Sequence, residues 1–432
     1  MNIEELYRLY TRSRKVTTDT RNILPGSIFF ALRGDSFNGN EFALSALEKN
    51  AAFAVIDDAK YNDDDRCILV PDVLETLQLL AAYHRDQLKI PVIGITGTNG
   101  KTTTKELLNA VLAEKYITYC TQGNLNNHIG VPLTLLAIQP DVELAIVEMG
   151  ANHKREIASL CTIAKPTFGL ITNIGKAHLE GFGGFEGVKV AKAELYDFIK
   201  ETGGTIFVNG DNPILHEMYT SRGITNTVTY GEKGDNLVSG SIVSNDPLLT
   251  VFWKSAGSSG QTGTNLTGSY NLENILAAVA VGLHFDLSEK QVHNGISSYV
   301  PGNNRSQVIQ TPFNTLICDY YNANPSSMQV AIDNLAAITA RHKTLILGDM
   351  FELGDESEQE HQRIVEYALK INADRNIFVG KAFSASKYNH EGVFFPDIQS
   401  AIEGIKSNPV SGSTVLLKGS RGMRLEMLLP LL

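Results

Sequence analysis

Apolar and polar positions divide the chain into three stretches. The first opens on Ile3, Leu6, Tyr7 and Tyr10, spaced as one face of a helix. Short apolar runs follow at Ser27 to Leu32, Ala52 to Ile56 and Cys67 to Val70, punctuated by Pro25, Gly26, Gly34 and Gly39, and a helical pattern starts at Asp72. This predicts a small α/β domain over residues 1–88. In the second stretch the runs PVIGIT, VELAIVE, FGLIT and TIFV alternate with helical patterns near 101–113, 153–160 and 186–200. Such alternation signals a largely parallel sheet wrapped by helices, here over 89–300. Within it, SNDP at 244–247 separates two strand-like runs and predicts a hairpin, while the polar run SAGSSGQTGTNLTG at 255–268 predicts a mobile loop. After Pro301 the alternation restarts with TLICDYY, TLILGD, NIFVG and TVLLKG, interleaved with helices from Pro325, around 357–371 and near 397–406. This predicts a second, doubly wound sheet over 301–432.

Composition narrows the class. A length of 432 residues suits about three domains of ordinary size. Lys and Arg total 37 against 47 Asp and Glu, a net charge of −10, so the overall field repels polyanions and nucleic acid is not an expected partner. Cys67, Cys120, Cys161 and Cys318 form no CxxC pair, so neither a zinc site nor a disulfide framework is signalled. Glu4 and Glu5 stand where a secretory signal would need an apolar core, and Ile275 to Leu283 is about the longest apolar run. A cytoplasmic protein without membrane insertion is expected.

In doubly wound sheets ligands collect at the carboxyl ends of strands, and polar motifs follow strand after strand here. The strongest is Gly97-Thr98-Asn99-Gly100-Lys101-Thr102-Thr103, between an apolar strand and a helix. Its glycines let backbone N–H groups close on phosphate oxygens, Lys101 can reach the outer phosphates and the Thr102 hydroxyl can ligate Mg²⁺. The spacing departs from the strict nucleotide-loop pattern, because Ile95 rather than Gly stands five residues before Gly100. Nucleotide binding follows, and with it the fold class: α/β in three domains, a small α/β amino domain, a central P-loop ATPase domain with a mostly parallel sheet, and a carboxyl-terminal doubly wound, Rossmann-like domain. Glu148 ends the run LAIVE and is placed to bind a divalent cation; His178 follows the next strand; Lys192 on its own pattern is a solvated helix lysine.

Taken together, GTNGKTTT, the run from Asn124 to Leu133, Glu148-Met-Gly, AHLEGFG, VAKAELY, GSYNLEN and DYYNANP resemble the Mur ligase family, ATP-dependent amide-forming enzymes of bacterial cell-wall precursor synthesis. The resemblance runs from TTDTR at 17–21 to LLKGSRGMRLE at 416–426. Within the family, DYYNANPSSM, LGDMFELGDESEQEH and LKGSRG resemble the members that add D-alanyl-D-alanine to UDP-N-acetylmuramoyl-tripeptide, giving the muramoyl-pentapeptide. The resemblance implies an ADP-forming ligation through an acyl phosphate, with positioning and charge neutralisation as the main sources of catalysis. It implies that Glu148 and Thr102 hold one Mg²⁺, that His178 binds a second, and that Lys192 is carbamylated by CO₂ and so becomes an anionic oxygen donor.

The same resemblance places Asn271 and Asn274 around the adenine, Arg305 toward the phosphates and Asp319 at the ribose, with Asn322 and Asn324 shaping its turn or capping it. The run GNNRSQ at 302–307 departs from the Gly-Arg pair of many relatives. Thr18, Asp19, Thr20 and Arg21, with Arg33 and Gly34, match the region that receives the UDP end, and Asn126 and Asn127 the sugar-peptide part. Asp349 and Glu352 would meet the amine of the incoming dipeptide; Lys418, Ser420 and Arg421 would meet its carboxylate. A monomer is expected. Three other readings remain open: a Mur ligase that adds a single amino acid, a folylpolyglutamate synthase-like ligase, and a nucleotide-gated binding module without catalysis.

Overall fold

The structure is a computed structural model that describes the chain except residues 177, 178, 303, 372 and 387–390 and the side chain of Leu179. Its contacts divide it into two compact units, Met1–Thr96 with Tyr116–Leu170 and Ala193–Ile206, and Gly97–Lys115 with Ile171–Lys192 and Phe207–Leu432.

The first unit opens with the expected amphipathic helix, Ile3–Ser13, started by a reciprocal capping box between Asn2 and Glu5. A four-stranded parallel sheet follows in the order Val16–Thr17, Ile28–Phe30, Phe53–Ile56, Cys67–Leu69, buried through Phe29, Ala54 and Ile56 against Ala43, Ala46 and Leu47. Helix Val73–Gln87 is capped by Asp72, whose side chain accepts from the Glu75 N–H. The strands Phe168–Ile171, Val92–Thr96, Leu144–Glu148 and Thr118–Cys120 lie side by side in that order. Val92–Thr96 and Leu144–Glu148 are buried at every position, as parallel strands covered on both faces must be.

Polar contacts from Tyr10, His84 and Arg85 tie the amino-terminal helices to the helices and loops that flank this second sheet. The Tyr10 hydroxyl donates to the Leu136 carbonyl at 2.6 Å. His84 lies between the Tyr7 hydroxyl at 3.2 Å on Nδ1 and the Ile138 carbonyl at 3.3 Å on Nε2, an arrangement that suits a neutral imidazole with its proton on Nε2. Arg85 donates to the carbonyls of Leu88, Ala164 and Lys165, so its charge sits at the carboxyl ends of two helices, where the backbone dipoles favour it. A cleft of about 610 Å³ beside Arg85 and Lys165 is walled by Phe168 and Thr205, where their strands begin. None of the candidate site residues lines it.

The second unit begins with helix Lys101–Leu112 and contains a parallel pair, Thr227–Gly231 with Val238–Asn245, continued by two antiparallel strands, Leu249–Ser255 and Ser258–Gly263. The hairpin at 244–247 is as expected. The segment 255–268 is not the expected loop, since it holds strand Ser258–Gly263, paired residue for residue with Leu249–Ser255. Small residues make this possible: a Cβ on Gly260 would stand 2.9 Å from the Trp253 ring, and Thr262 faces inward, fully buried. The carboxyl-terminal sheet has the order Gln307–Gln310, Thr315–Asp319, Thr414–Lys418, Lys343–Gly348, Arg375–Val379, Val393–Phe395, parallel except for its first, antiparallel edge strand. Two apolar clusters cover its faces, one around Met328, Leu347 and Phe378, the other around Leu316, Ile377 and Leu428. No helix among the described residues is long and apolar enough to cross a membrane.

Candidate functional site

In the first unit the chemistry gathers at the carboxyl ends of parallel strands. Glu148 is the last residue of its strand and aligns with Ile95, two residues before Gly97 in the chain. It is 2% exposed, Asn126 Nδ2 donates to its Oε1 at 2.8 Å, and its backbone N–H donates to Thr121 Oγ1 at 2.9 Å. Asn126 is locked in turn, because its carbonyl accepts from the Gly150 N–H at 2.7 Å. Asn127 caps helix Gly130–Leu136, accepting from the N–H groups of Ile129 and Gly130. Farther along, Arg21 forks onto Asp19 at 2.8–3.1 Å, which holds that carboxyl down at about 2, and the Thr20 carbonyl accepts from Lys49. Arg33 donates to Asp57 at 2.9 Å, and Gly34 packs against the Phe37 ring across a two-stranded ladder.

In the second unit the loop from Gly97 to Thr103 has the backbone its glycines predict. Gly97 and Gly100 have φ of 140° and 80°, and a Cβ at Gly97 would stand 2.0 Å from Thr172 Oγ1. Lys101 Nζ bonds the carbonyls of Gly97 and Thr98 at 2.7 and 3.0 Å, curling over the loop. Thr102 and Thr103 are buried in the first turn of helix Lys101–Leu112.

Asn99 is held on both sides. Its backbone N–H donates to Asn173 Oδ1 at 3.0 Å and its carbonyl accepts from Thr172 Oγ1 at 2.6 Å. Its side chain joins a closed ring of three: Asn99 Nδ2 donates to Ser326 Oγ at 3.1 Å, Ser326 Oγ to Asn324 Oδ1 at 2.8 Å, and Asn324 Nδ2 back to Asn99 Oδ1 at 2.9 Å. Asn324 also caps helix Pro325–Ala337, so its capping and site readings both hold geometrically. Asn322 accepts from the Ala323 N–H.

Asn271 and Asn274 are buried beneath the loop. Asn274 Nδ2 donates to Asn271 Oδ1 at 2.9 Å, Thr104 donates to Asn274 Oδ1 at 3.0 Å, and a Cβ on Gly100 would stand 2.8 Å from that same oxygen. Between them, burial and the charges of Glu232 and Asp211 push the Glu273 carboxyl up. Lys192, on helix Phe185–Thr202, is 3% exposed rather than solvated, with Nζ 5.4 Å from the Phe182 ring centroid. His178 lies outside the described residues.

Residues assigned to different ligands meet one another in the carboxyl-terminal sheet. Lys418 Nζ pairs with Asp319 at 2.6 Å across neighbouring strands. Asp349 accepts from the N–H groups of Ala382 and Phe383, each at 2.9 Å, and so caps the short helix Lys381–Ala385. Ser420 Oγ accepts from the Phe351 N–H. Glu352 holds a left-handed backbone, φ 62°. His361, absent from the sequence reading, fixes this turn: its Nε2 accepts from the Met350 N–H at 3.0 Å and its Nδ1 donates to the Ser357 carbonyl at 2.7 Å. Burial pushes its imidazole down, in keeping with that neutral tautomer. Arg305 stacks on the Tyr321 ring with Cζ 4.0 Å from the centroid, and Arg421 lies 5.4 Å from the same centroid.

Glu148 offers a buried carboxylate in the first unit and Thr102 a buried helix-start hydroxyl in the second, each an oxygen donor of the kind a hard divalent cation takes. Among the described residues, no group of three or more His, Cys, Asp or Glu could hold a metal ion.

Three family models match the chain: the Mur ligase family catalytic domain over residues 13–85, the Mur ligase middle domain over 95–282 and the Mur ligase glutamate ligase domain over 304–421. A curated relative, the UDP-N-acetylmuramoyl-tripeptide--D-alanyl-D-alanine ligase of Bacillus subtilis, is 35% identical over 95% of this chain and 91% of its own. The chain belongs to the Mur ligase family. Among solved structures this Mur ligase is similar to MurF from Acinetobacter baumannii, with TM-score 0.88 and 30% identity over 96% of this chain and 92% of the other. It is also similar to MurF ligase from Thermotoga maritima in complex with ADP, with TM-score 0.86 and 26% identity over 97% of each chain. As a Mur ligase it is an ATP-using enzyme, and the three-domain α/β architecture expected from the sequence is the family's own.

Proposed function

We propose that this Mur ligase joins D-alanyl-D-alanine to UDP-N-acetylmuramoyl-tripeptide with conversion of ATP to ADP and phosphate. The observation that carries the reading is the match, along 95% of the chain, to a curated ligase of that reaction. An oxygen of the tripeptide carboxylate attacks the terminal phosphorus of ATP and ADP leaves. The dipeptide amine then attacks the acyl carbon, phosphate departs with the former carboxylate oxygen, the nitrogen loses a proton and the amide remains.

The chain's residues take these parts in the proposal. The loop Gly97–Thr103 binds the phosphates through its N–H groups and Lys101. Asn271 and Asn274 brace the loop beside the adenine, Asp319 meets the ribose and Arg305 meets the phosphate being transferred. Thr102 and Glu148 offer oxygens to Mg²⁺, which supplies charge neutralisation at the phosphates when bound. Lys192 is the carbamylated residue and His178 belongs with it at a second Mg²⁺. Thr20, Arg21, Arg33 and Gly34 receive the UDP end, and Asn126 and Asn127 the sugar-peptide. Asn322 and Asn324 shape the turn after Asp319, and Asp349, Glu352, Lys418, Ser420 and Arg421 receive the dipeptide. The three functional domains are 1–88, 89–300 and 301–432, and the enzyme works as a cytoplasmic monomer.

The test is mass spectrometry of the product made from UDP-N-acetylmuramoyl-tripeptide, D-alanyl-D-alanine and Mg²⁺-ATP, with parallel reactions offering a single amino acid to UDP-muramoyl dipeptide, or glutamate to folate. A pentapeptide product with matching ADP is expected. Product only in a parallel reaction would overturn the reading.

A further inference from the structure

Arg305 and Arg421, far apart in sequence, share one aromatic ring. Their guanidinium carbons stand 4.0 and 5.4 Å from the centroid of Tyr321, both within the range at which a cation is drawn to a ring face. Neither forms an ion pair with a carboxylate among the described residues, and Arg305 Nε is buried without a hydrogen-bond partner.

The choice of a ring has a physical reason. A carboxylate would also hold two arginines, but it would cancel their charge and occupy the N–H fork that recognises an anion. A ring attracts the flat face of the guanidinium through its quadrupole and leaves the N–H groups, which lie in the guanidinium plane, pointing outward. Two like charges that share one ring repel each other until an anion arrives. The arrangement therefore stores a demand for negative charge.

We infer that Tyr321 is a positioning residue that presents Arg305 and Arg421 together to the two anionic groups of the ligation, the transferable phosphate and the dipeptide carboxylate. This rests on the parts proposed above for those two arginines. Tyr321 acts through its ring, and the hydroxyl is dispensable. One side chain thereby links the nucleotide and the amine substrate: loss of the ring loosens both arginines at once.

The experiment is steady-state kinetics of the intact enzyme with each substrate varied in turn, for wild type, Tyr321→Phe and Tyr321→Leu. Tyr321→Phe should stay within about threefold of wild type, whereas Tyr321→Leu should lose about tenfold or more in kcat/KM for D-alanyl-D-alanine, with KM raised for both the dipeptide and ATP. Adding Arg421→Ala to Tyr321→Leu should cost much less than Arg421→Ala costs alone, because the ring acts through that arginine. A Tyr321→Leu enzyme with wild-type Tm and wild-type kinetics overturns the inference; so does Tyr321→Phe as impaired as Tyr321→Leu, which would assign the effect to the hydroxyl. Should Tyr321→Leu melt early, Tyr321→Met carries the same comparison. Wild type that forms no pentapeptide defeats the proposed function, whereas active wild type with an indifferent Leu variant defeats only this inference.

Discussion

Glu148 in the first unit and Lys101, Arg305 and Arg421 in the second are held by neutral partners of opposite kinds. In the first, a buried acid takes an amide donor: Glu148 accepts from Asn126 Nδ2, and Asn126 is pinned by Gly150. In the second, Lys101 donates to two loop carbonyls, and Arg305 and Arg421 share a ring. Lys418 on Asp319, like Arg21 on Asp19 and Arg33 on Asp57 in the first unit, is held by an opposite charge instead. The lesson is that a group meant to meet a charged ligand is best held by partners that leave its charge intact. Neutral amides, carbonyl dipoles and aromatic faces all do so; an opposite charge does not.

The largest effect should come from the cation-rich side. Lys101→Ala is expected to lower kcat by about 10²–10³-fold, read as phosphate release under saturating substrates, since it removes a preorganised positive charge from the transferring phosphate. A variant near wild-type rate would break the contrast at its strongest point. Lys192→Ala should likewise stop turnover while ATP binding, measured by calorimetry, survives; normal turnover would remove the carbamate from the account.

Next comes the acid. Asn126→Ala leaves Glu148 without its amide donor, and a loss of about 10–100-fold in activity is expected, with the apparent Mg²⁺ requirement shifted upward. Unchanged magnesium dependence would show that the amide merely packs.

Smaller effects concern the frame that carries Glu148. Burial holds the His84 imidazole at about 4, below its ordinary 6.5. Between those values the unfolded chain binds more protons than the folded one, so the stability carried by neutral His84 is complete above about 6.5 and drains away as pH falls toward 4. Denaturant unfolding at pH 7 and pH 5 should show a loss on the order of 1–2 kcal/mol in wild type that shrinks in His84→Gln. An equal slope in both proteins would assign the acid sensitivity elsewhere, His284 and His361 being imidazoles that burial also pushes down. Tyr10→Phe, which strands the Leu136 carbonyl, should cost about 1–2 kcal/mol with activity unchanged at moderate temperature.

Much of this was legible in the chain because it is local. The phosphate loop announces itself through glycines beside a lysine, and Val92–Thr96 and Leu144–Glu148 through unbroken apolar runs. Strand Ser258–Gly263 was illegible because its signal is a fit rather than a propensity: glycine and serine pair there against Leu249–Ser255, over Trp253. Lys192 read as solvated since helical spacing cannot say which face another segment covers. The pairing of Lys418 with Asp319 and the stacking on Tyr321 join residues about a hundred positions or fewer apart in sequence that only the sheet order brings together. Ser326, two residues after a capping asparagine, gave no sign beyond its neighbourhood.

The closed circuit of Asn99, Ser326 and Asn324 has a direction. Each member gives a hydrogen to the next and takes one from the last, so turning over any single amide would set donor against donor or acceptor against acceptor. Reversing all three would set the Asn324 amide nitrogen against the Ser327 N–H that its Oδ1 now caps, so the helix start fixes the sense. The tip of the phosphate cradle and the start of a helix 225 residues later thus agree on one sense of circulation, and an aspartate in place of Asn99, nearly identical in shape, would stop it.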